Sequence, residues 1–274
     1  MNAISPLSFS RYANVFAHGL SIDDLRQKVP AVFAASAHEG LSQKYTFIPT
    51  ERVLSGLMSA GFVSVEARQA QSRKANPVHA RHVVRLRRRF ETVALRDAVP
   101  EVVFLNSHDG TSAYQLRLGL FRAVCTNGLI VSVGAFPAYS VTHRGDIVDE
   151  VVTAALEVAE RFEALAGRVE RMEQRRLDQD EQIGFAGKAL TLRFPEPEKA
   201  GIQPSKLLGI RRTEDTTDDL WTVFNRVQEN LLGGGLIRRT ETGRLSRTRR
   251  ITSIREDVRL NSRLWDLAEE VLAA

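Results

Sequence analysis

The 274-residue sequence has one cysteine, Cys125, and no apolar run near the 18 or so residues that a membrane-spanning helix needs. A single cysteine excludes an internal disulfide and any metal site built from several thiolates, and it is typical of a reducing compartment. The first residues, MNAISPLSFSRYANVFAHGL, contain no basic region followed by a long apolar core. We therefore expect a soluble, cytoplasmic protein in which the cysteine is a small apolar core residue.

Motifs for nucleotide hydrolysis and metal catalysis are also missing. In GFAGKAL, no Ser or Thr follows Lys188 and no glycine stands five residues before Gly187, so this is not a phosphate-binding loop. The six histidines show no HExxH spacing, and Asp109 and Asp149 have simpler roles in a turn and at a helix start. The sequence predicts no catalytic residue, no metal site and no cofactor.

Positive charge is concentrated in two parts of the chain. The net charge is +5 and the pI is about 9.6. Residues 61 to 100 hold nine Lys and Arg against three acids, and residues 238 to 250 hold six Arg against one acid. Because the excess is local, it indicates binding of a polyanion more than a general effect on solubility.

Alternation of apolar and polar residues predicts an antiparallel sheet over about residues 62 to 133. FVSVEAR and RHVVRLRRRF alternate on either side of a turn-like SRKANP, and Asp109-Gly110 is a favoured turn pair between two further strands. NGLIVSV predicts one more strand. One face of such a sheet is packed and the other is presented.

Helices are predicted on both sides of this sheet. Thr50 is a plausible N-cap for a helix in PTERVLSGLMSAG, which ends at Gly61. About residues 146 to 176 are predicted to form one long amphipathic helix that packs on the sheet. DDLWTVFNRVQENLLGGG predicts a helix with one apolar side. The fold class is α+β, with helical N- and C-terminal parts. The predicted domains are residues 1 to 194, a connector over 195 to 210, and a helical C-terminal region over 211 to 274 that carries an arginine-rich segment.

The strand over residues 81 to 90 places four arginines on one face. Like charges two residues apart on a strand repel unless an anion offsets them, and a phosphate backbone supplies such anions. We expect this face to be open to solvent, so that replacing Arg85, Arg87 and Arg89 by glutamine has little effect on stability. The arginine-rich segment, RRTETGRLSRTRR, offers little apolar surface and is expected to be mobile without a ligand. The predicted nucleic-acid contacts are Arg73, Lys74, Arg81, Arg85, Arg87, Arg89, Arg244, Arg247, Arg249 and Arg250.

The chain resembles a family of phage- and plasmid-borne proteins called domain of unknown function 932. The resemblance is carried by the turn Asn106 to Gly110, by Tyr114, by Phe121-Arg122 and by the run Cys125 to Leu129, and it extends to LWTVFNRVQENLL and LNSRLWDLA. It implies a mobile-element or prophage setting and transfers no catalytic residue. The strand and helix order is also similar to the core of single-strand annealing proteins, which form rings and hold DNA in a basic groove; this analogy concerns architecture alone.

The resulting hypothesis is a phage- or plasmid-type protein that binds or anneals nucleic acid, with single-stranded DNA favoured, no membrane partner and a possible homo-oligomer. Two alternatives stay open. One is an anti-defence or other interaction protein that binds an acidic partner protein. The other is a metal-dependent nuclease that uses His108 with nearby acids.

Overall fold

The structure is a computed structural model of the chain. It divides the chain into two compact units, one from Met1–Thr92, Pro100–Gly119 and Pro137–Arg161, the other from Val93–Val99, Leu120–Phe136 and Phe162–Ala274. The structure describes residues 19–41, 45–70, 77–89, 98–122, 128–131, 139–141, 147–240 and 243–274.

Two helices open the described part of the first unit. Helix α1, Ile22–Lys28, begins with a capping box in which the Ser21 hydroxyl accepts from the Asp24 amide and the Asp24 carboxylate accepts from the Ser21 amide. A 3-10 turn, Pro30–Phe33, leads toward helix α2, Thr50–Ser59. Helix α2 ends before Gly61, whose φ of 92° is readily adopted only by glycine, so the predicted stop is confirmed.

Strands β1, β2 and β6 and most of β3 and β4 of an antiparallel sheet belong to this unit, whereas β5 belongs to the second. The strands of this sheet follow the order β1–β2–β3–β4–β5, and β6 also pairs with β4. Strand β1 pairs with β2 from Phe62↔Arg88 to Gln69↔His82, with a bulge between Ser64 and Glu66. The strands are β1 Phe62–Gln69, β2 His82–Arg88, β3 Ala98–Asn106, β4 Tyr114–Arg122, β5 Gly128–Val131 and β6 Tyr139–Val141.

Both faces of the central strands are packed. All but one of the nine residues of β3 are buried, including Glu101, and Val84, Leu86 and Phe104 are fully buried. The predicted hairpin turn is present between β3 and β4, where Gly110 has a φ of 76°. The sheet therefore differs from the expected one, because its second face is not simply presented to solvent.

The predicted long helix forms as two consecutive helices, α3 Val148–Ala159 and α4 Phe162–Gln174. The Arg161 amide donates to the Val158 carbonyl, which is a tight turn that cannot continue the α-helical pattern. Helix α3 packs against α2 and contacts β6 in the first unit. Helix α4 belongs to the second unit and packs against a helix of that unit.

The described part of the second unit is mostly helical. Helix α4 is followed by α5, Gln179–Arg193, which starts at an Asp178 capping box. The predicted connector forms a short helix α6, Pro197–Ala200, and a 3-10 helix, Pro204–Leu208. The remaining elements are α7 Leu220–Gly233, β7 Ile237–Arg239, β8 Leu245–Arg247 and α8 Ile254–Ala273.

Helix α7 is surrounded on all sides, because every residue from Leu220 to Leu232 is buried. Its polar side chains have partners on other elements. Glu229 accepts from Arg212 at 2.7 Å, Asn230 accepts from Arg211 at 2.7 Å, and Gln228 donates to Asn261 of α8 at 2.8 Å. The sequence predicted one apolar side for this helix, whereas the unit also covers its polar side.

The α+β class, the antiparallel sheet and the helical parts are confirmed. The C-terminal part is not wholly helical, because β7 and β8 form a separate two-stranded sheet. The predicted domains concern parts of the chain that would fold on their own, and their boundaries stay a prediction. Among the residues that the structure describes, no helix is long and apolar enough to cross a membrane.

Candidate nucleic-acid interface

The arginines of strand β2 are held by acids of neighbouring strands. Arg85 Nε donates to Glu101 Oε2 at 2.7 Å, and Arg87 Nη2 donates to Glu101 Oε1 at 2.6 Å. Arg85 also donates through Nη1 to the carboxylate of Glu66 on β1. One carboxylate therefore joins two arginines, and a second acid joins one of them.

This network is largely removed from water. Glu101 is fully buried, and the side chains of Arg85 and Arg87 are only 19% and 12% exposed. The expectation of an open cationic face was wrong at these two positions, because the anions that offset the repelling charges come from the protein itself. Nucleic-acid binding by these arginines stays a prediction.

The other predicted residues of this region have different surroundings. Arg81 is half-buried, and its Nη2 donates to the Thr111 carbonyl at 2.6 Å. Arg89 follows β2 and is exposed, with its amide bonded to the Gly61 carbonyl. Arg73 and Lys74 lie outside the described residues.

A buried hydrogen-bonded group joins helix α2 to strands β2 and β3. Thr50 Oγ1 lies 3.1 Å from His82 Nε2, 3.0 Å from His108 Nε2 and 2.9 Å from Asn106 Nδ2, which donates to it. All four side chains are fully buried. The hydroxyl predicted to cap the helix is therefore used to tie the sheet to it, and the helix has no side-chain cap.

One set of proton positions satisfies all of these contacts. The Ala80 carbonyl, 3.0 Å from His82 Nδ1, can only accept, so His82 carries its proton on Nδ1. With both rings neutral, Thr50 donates to His82 Nε2, and His108 donates through Nε2–H to Thr50. We name these residues, with Asn106, the threonine–histidine group.

This arrangement bears on the nuclease alternative. His108 is fully buried and directs Nε2 at Thr50 rather than at a carboxylate. Asp109 instead accepts from the amide and hydroxyl of Thr111 in the β3–β4 turn. Burial, with a smaller contribution from Asp109, raises the pKa of the nearby Tyr45 to about 12. In the described ranges, no three His, Cys, Asp or Glu side chains are grouped closely enough to hold a metal ion.

The arginine-rich segment forms a β-hairpin. Ile237 pairs with Arg247, Arg238 with Ser246 and Arg239 with Leu245. Because alternate residues of a strand share a face, one face of the hairpin carries two aliphatic and two cationic side chains. All four are exposed, and we call them the hairpin face: Ile237, Arg239, Leu245 and Arg247.

Close backbone packing holds the base of this hairpin. The Gly235 amide donates to the Thr248 carbonyl, and the Thr248 amide donates to the Leu236 carbonyl. A Cβ on Gly234 would lie 2.6 Å from the Arg249 carbonyl carbon, so only glycine fits there. Arg193 of α5 also donates to the Arg249 carbonyl. The segment is therefore a hairpin anchored at its base, and its mobility without a ligand stays a prediction.

Three arginines of this segment are not neutralised within the described part of the chain. No described acid pairs with the side chains of Arg244, Arg247 or Arg249, all of which are exposed. Arg250 is exposed as well. Sequence reasoning found these four arginines and missed the hairpin face, although LIRRTETGRLSR does alternate around a turn-like Thr-Gly.

Comparison with known proteins places the chain in a family. The family described as Domain of unknown function (DUF932) matches residues 37–265. The chain belongs to this family. It shares 41% identity with UPF0380 protein YafZ and 40% with UPF0380 protein YfjQ, both of Escherichia coli (strain K12), over 92% of this chain and 92% of each relative. No match was found among solved structures. The DUF932 resemblance carried by residues 106 to 129 is thereby confirmed.

Proposed function

We propose that the protein binds nucleic acid, with single strands favoured, and that the β7–β8 hairpin is the main contact. The observation that carries the proposal is the hairpin face, where exposed aliphatic and cationic side chains alternate. Arg244, Arg249 and Arg250 add charge beside it. Phosphates reward several arginine contacts through counterion release without demanding base-specific geometry.

The aliphatic side chains favour a single strand over a duplex. Ile237 is 53% exposed and Leu245 is 62% exposed, and they lie on the same face as Arg239 and Arg247. Bases of a single strand offer apolar ring faces on which such side chains pack, while the arginines contact phosphates. In a duplex the ring faces are already stacked on one another.

Strand β2 does not provide an equally good phosphate contact. A phosphate that approached Arg85 or Arg87 would have to compete with the buried carboxylate of Glu101. Arg239, Arg244 and Arg247 of the hairpin meet no such competitor among the described residues. A role in phage or plasmid DNA metabolism is the setting that the family resemblance implies for this proposal, and annealing by an oligomer rests on the architectural analogy alone.

An acidic partner protein is the second candidate. A surface with two exposed aliphatic residues between arginines also suits a protein interface, in which arginine is enriched. The two candidates differ in what competes for the hairpin: an oligonucleotide in the first case and an acidic peptide of equal charge in the second.

Replacing Arg239, Arg244 and Arg247 together by glutamine is expected to weaken binding of a random single-stranded oligonucleotide roughly 100-fold at 0.1 M salt. Each lost phosphate contact lowers the slope of log affinity against log salt by about 0.7, so the slope should flatten by about two units. Fluorescence anisotropy over a salt series measures both quantities.

The matched control removes three charges elsewhere, by Lys28→Gln, Arg171→Gln and Arg176→Gln, at exposed positions. It should leave the slope unchanged. Equal loss in both variants would mean that only net charge matters. Wild-type binding by the hairpin variant would remove the hairpin from the interface, and binding of poly-glutamate in preference to the oligonucleotide would favour the protein partner.

A further inference from the structure

A groove lies between helices α5 and α8, close to the base of the hairpin. Its volume is about 450 Å³, within the range of small-molecule sites and large enough for one nucleotide. Its polar lining comes from two residues of α5 and four of α8: Lys188, Thr191, Arg259, Arg263, Asp266 and Glu270.

The charges in this groove are ordered along α8. Arg259, Arg263, Asp266 and Glu270 follow one another at spacings of four, three and four residues, so they form one stripe on the helix. The stripe is cationic at its N-terminal end and acidic at its C-terminal end. Lys188 of α5 adds a third cation to the lining.

The cations of the groove are partly available. Arg259 is bound at 2.6 Å to Glu256 of its own helix, but its side chain is still 46% exposed. Arg263 is 65% exposed and lies 4.0 Å from Asp266, a separation at which an exposed pair contributes little. Lys188 is exposed and has no ion pair among the described residues. An anion can therefore reach Lys188 and Arg263 without displacing a strong partner.

The acidic end of the groove favours a hydrogen-bond donor rather than an anion. Burial raises the pKa of Asp266, with Arg263 lowering it and Glu270 raising it, and the side chain is only 24% exposed. A half-buried carboxylate is stabilised by a hydrogen-bond donor that enters the groove. Amino groups on nucleobases are such donors, and carboxylates accept from the amino group of cytosine.

The groove is continuous with the base of the hairpin through the end of α5. Arg259 Nη2 donates to the Leu192 carbonyl at 2.8 Å, and the next residue, Arg193, donates to the Arg249 carbonyl. Leu192 and Arg193 are adjacent in the chain, so the cations of the groove and those at the base of the hairpin border the same turn of helix.

From these contacts we infer that the groove binds one nucleotide unit, with its phosphate at Lys188 and Arg263 and an amino-bearing base at Asp266 and Glu270. This inference deepens the proposed function and rests on it, because a single strand bound at the hairpin would pass from the hairpin into the groove. A free nucleotide presents the same chemistry. Thymine, which lacks an exocyclic amino group, fits the acidic end less well.

Two variants test the two ends of the groove, with oligo-dC and oligo-dT of equal length as probes. Lys188→Gln with Arg263→Gln should weaken binding of both oligonucleotides roughly fivefold at 0.1 M salt, as expected when the one phosphate held by both cations is no longer neutralised. Asp266→Asn should abolish the preference for oligo-dC over oligo-dT and leave oligo-dT affinity within about twofold. Arg171→Gln is the single-charge control, and thermal unfolding shows that each variant is folded.

Titration with dCMP shows whether the groove binds a free nucleotide or a nucleotide within a strand. The hairpin variant distinguishes the groove proposal from the proposed function. Loss of oligonucleotide binding in the hairpin variant with no effect of the groove variants would overturn the groove and leave the proposed function in place. Binding of dCMP that requires Lys188 and Arg263, without oligonucleotide binding, would support the groove and overturn the strand-binding function. Equal affinity of the wild type for oligo-dC and oligo-dT would overturn the assignment of the acidic end.

Discussion

Replacing Glu101 by glutamine should lower the free energy of unfolding by about 3 kcal/mol. Removing one partner of a buried ion pair leaves the other charge uncompensated, at a typical cost of roughly 3 to 5 kcal/mol. The lower end applies because the side chains of Arg85 and Arg87 keep 19% and 12% exposure. Urea denaturation at neutral pH measures the change directly.

The control for this variant is Glu66, which binds the same arginine, Arg85. Glu66→Gln removes a carboxylate whose side chain is 44% exposed, so it should cost less than about 1 kcal/mol. A loss below about 1 kcal/mol for Glu101→Gln would mean that the network on β2 is as weak as a surface pair. The arginines of β2 would then be available to an outside anion, and the strand face would return as a binding site.

Replacing Thr50 by valine should destabilise the protein by about 3 kcal/mol with little change in volume. The hydroxyl is a shared partner of His82, Asn106 and His108, and a buried polar group that loses its partner costs roughly 1 to 3 kcal/mol. Thr50→Ser keeps the hydroxyl and loses one methyl group, so it should cost only about 1 kcal/mol. Thermal or urea unfolding of the pair isolates the hydroxyl.

Proton positions in the threonine–histidine group give an independent readout. Nitrogen-15 NMR should find the proton of His82 on Nδ1 and that of His108 on Nε2. The opposite tautomers, or equal stability of the valine and serine variants, would show that Thr50 is not the centre of this group.

Much of the sheet could be predicted because its signals are local. Alternation in residues 62 to 69 and 82 to 88 fixes two strands, and Asp109-Gly110 marks the turn between β3 and β4. The partner of the arginines could not be predicted in the same way. Glu101 reaches Arg85 and Arg87 only once β2 and β3 are paired in a given register, and that register is a tertiary property.

Only part of the candidate interface could be predicted, because the rest of it also depends on tertiary contacts. A count of charges located Arg244 to Arg250, but the alternation in LIRRTETGRLSR covers only three residues on each side of the turn and did not by itself distinguish a hairpin from a loop. Formation of the hairpin depends on the close approach of Gly234 to Arg249 and on Arg193, which is 56 residues away in the chain from its acceptor. The break between α3 and α4 likewise interrupts an apolar pattern that runs on through both helices.

Helix α7 has a consequence for the slow dynamics of the second unit. Apolar side chains of similar size are interchangeable around a helix, whereas the bonds of Gln228, Glu229 and Asn230 each require one rotation of the helix about its axis. A turn by one residue, about 100°, would break all three at once. The helix should therefore have no alternative setting, and its amide hydrogens should exchange with solvent only through unfolding of the whole unit.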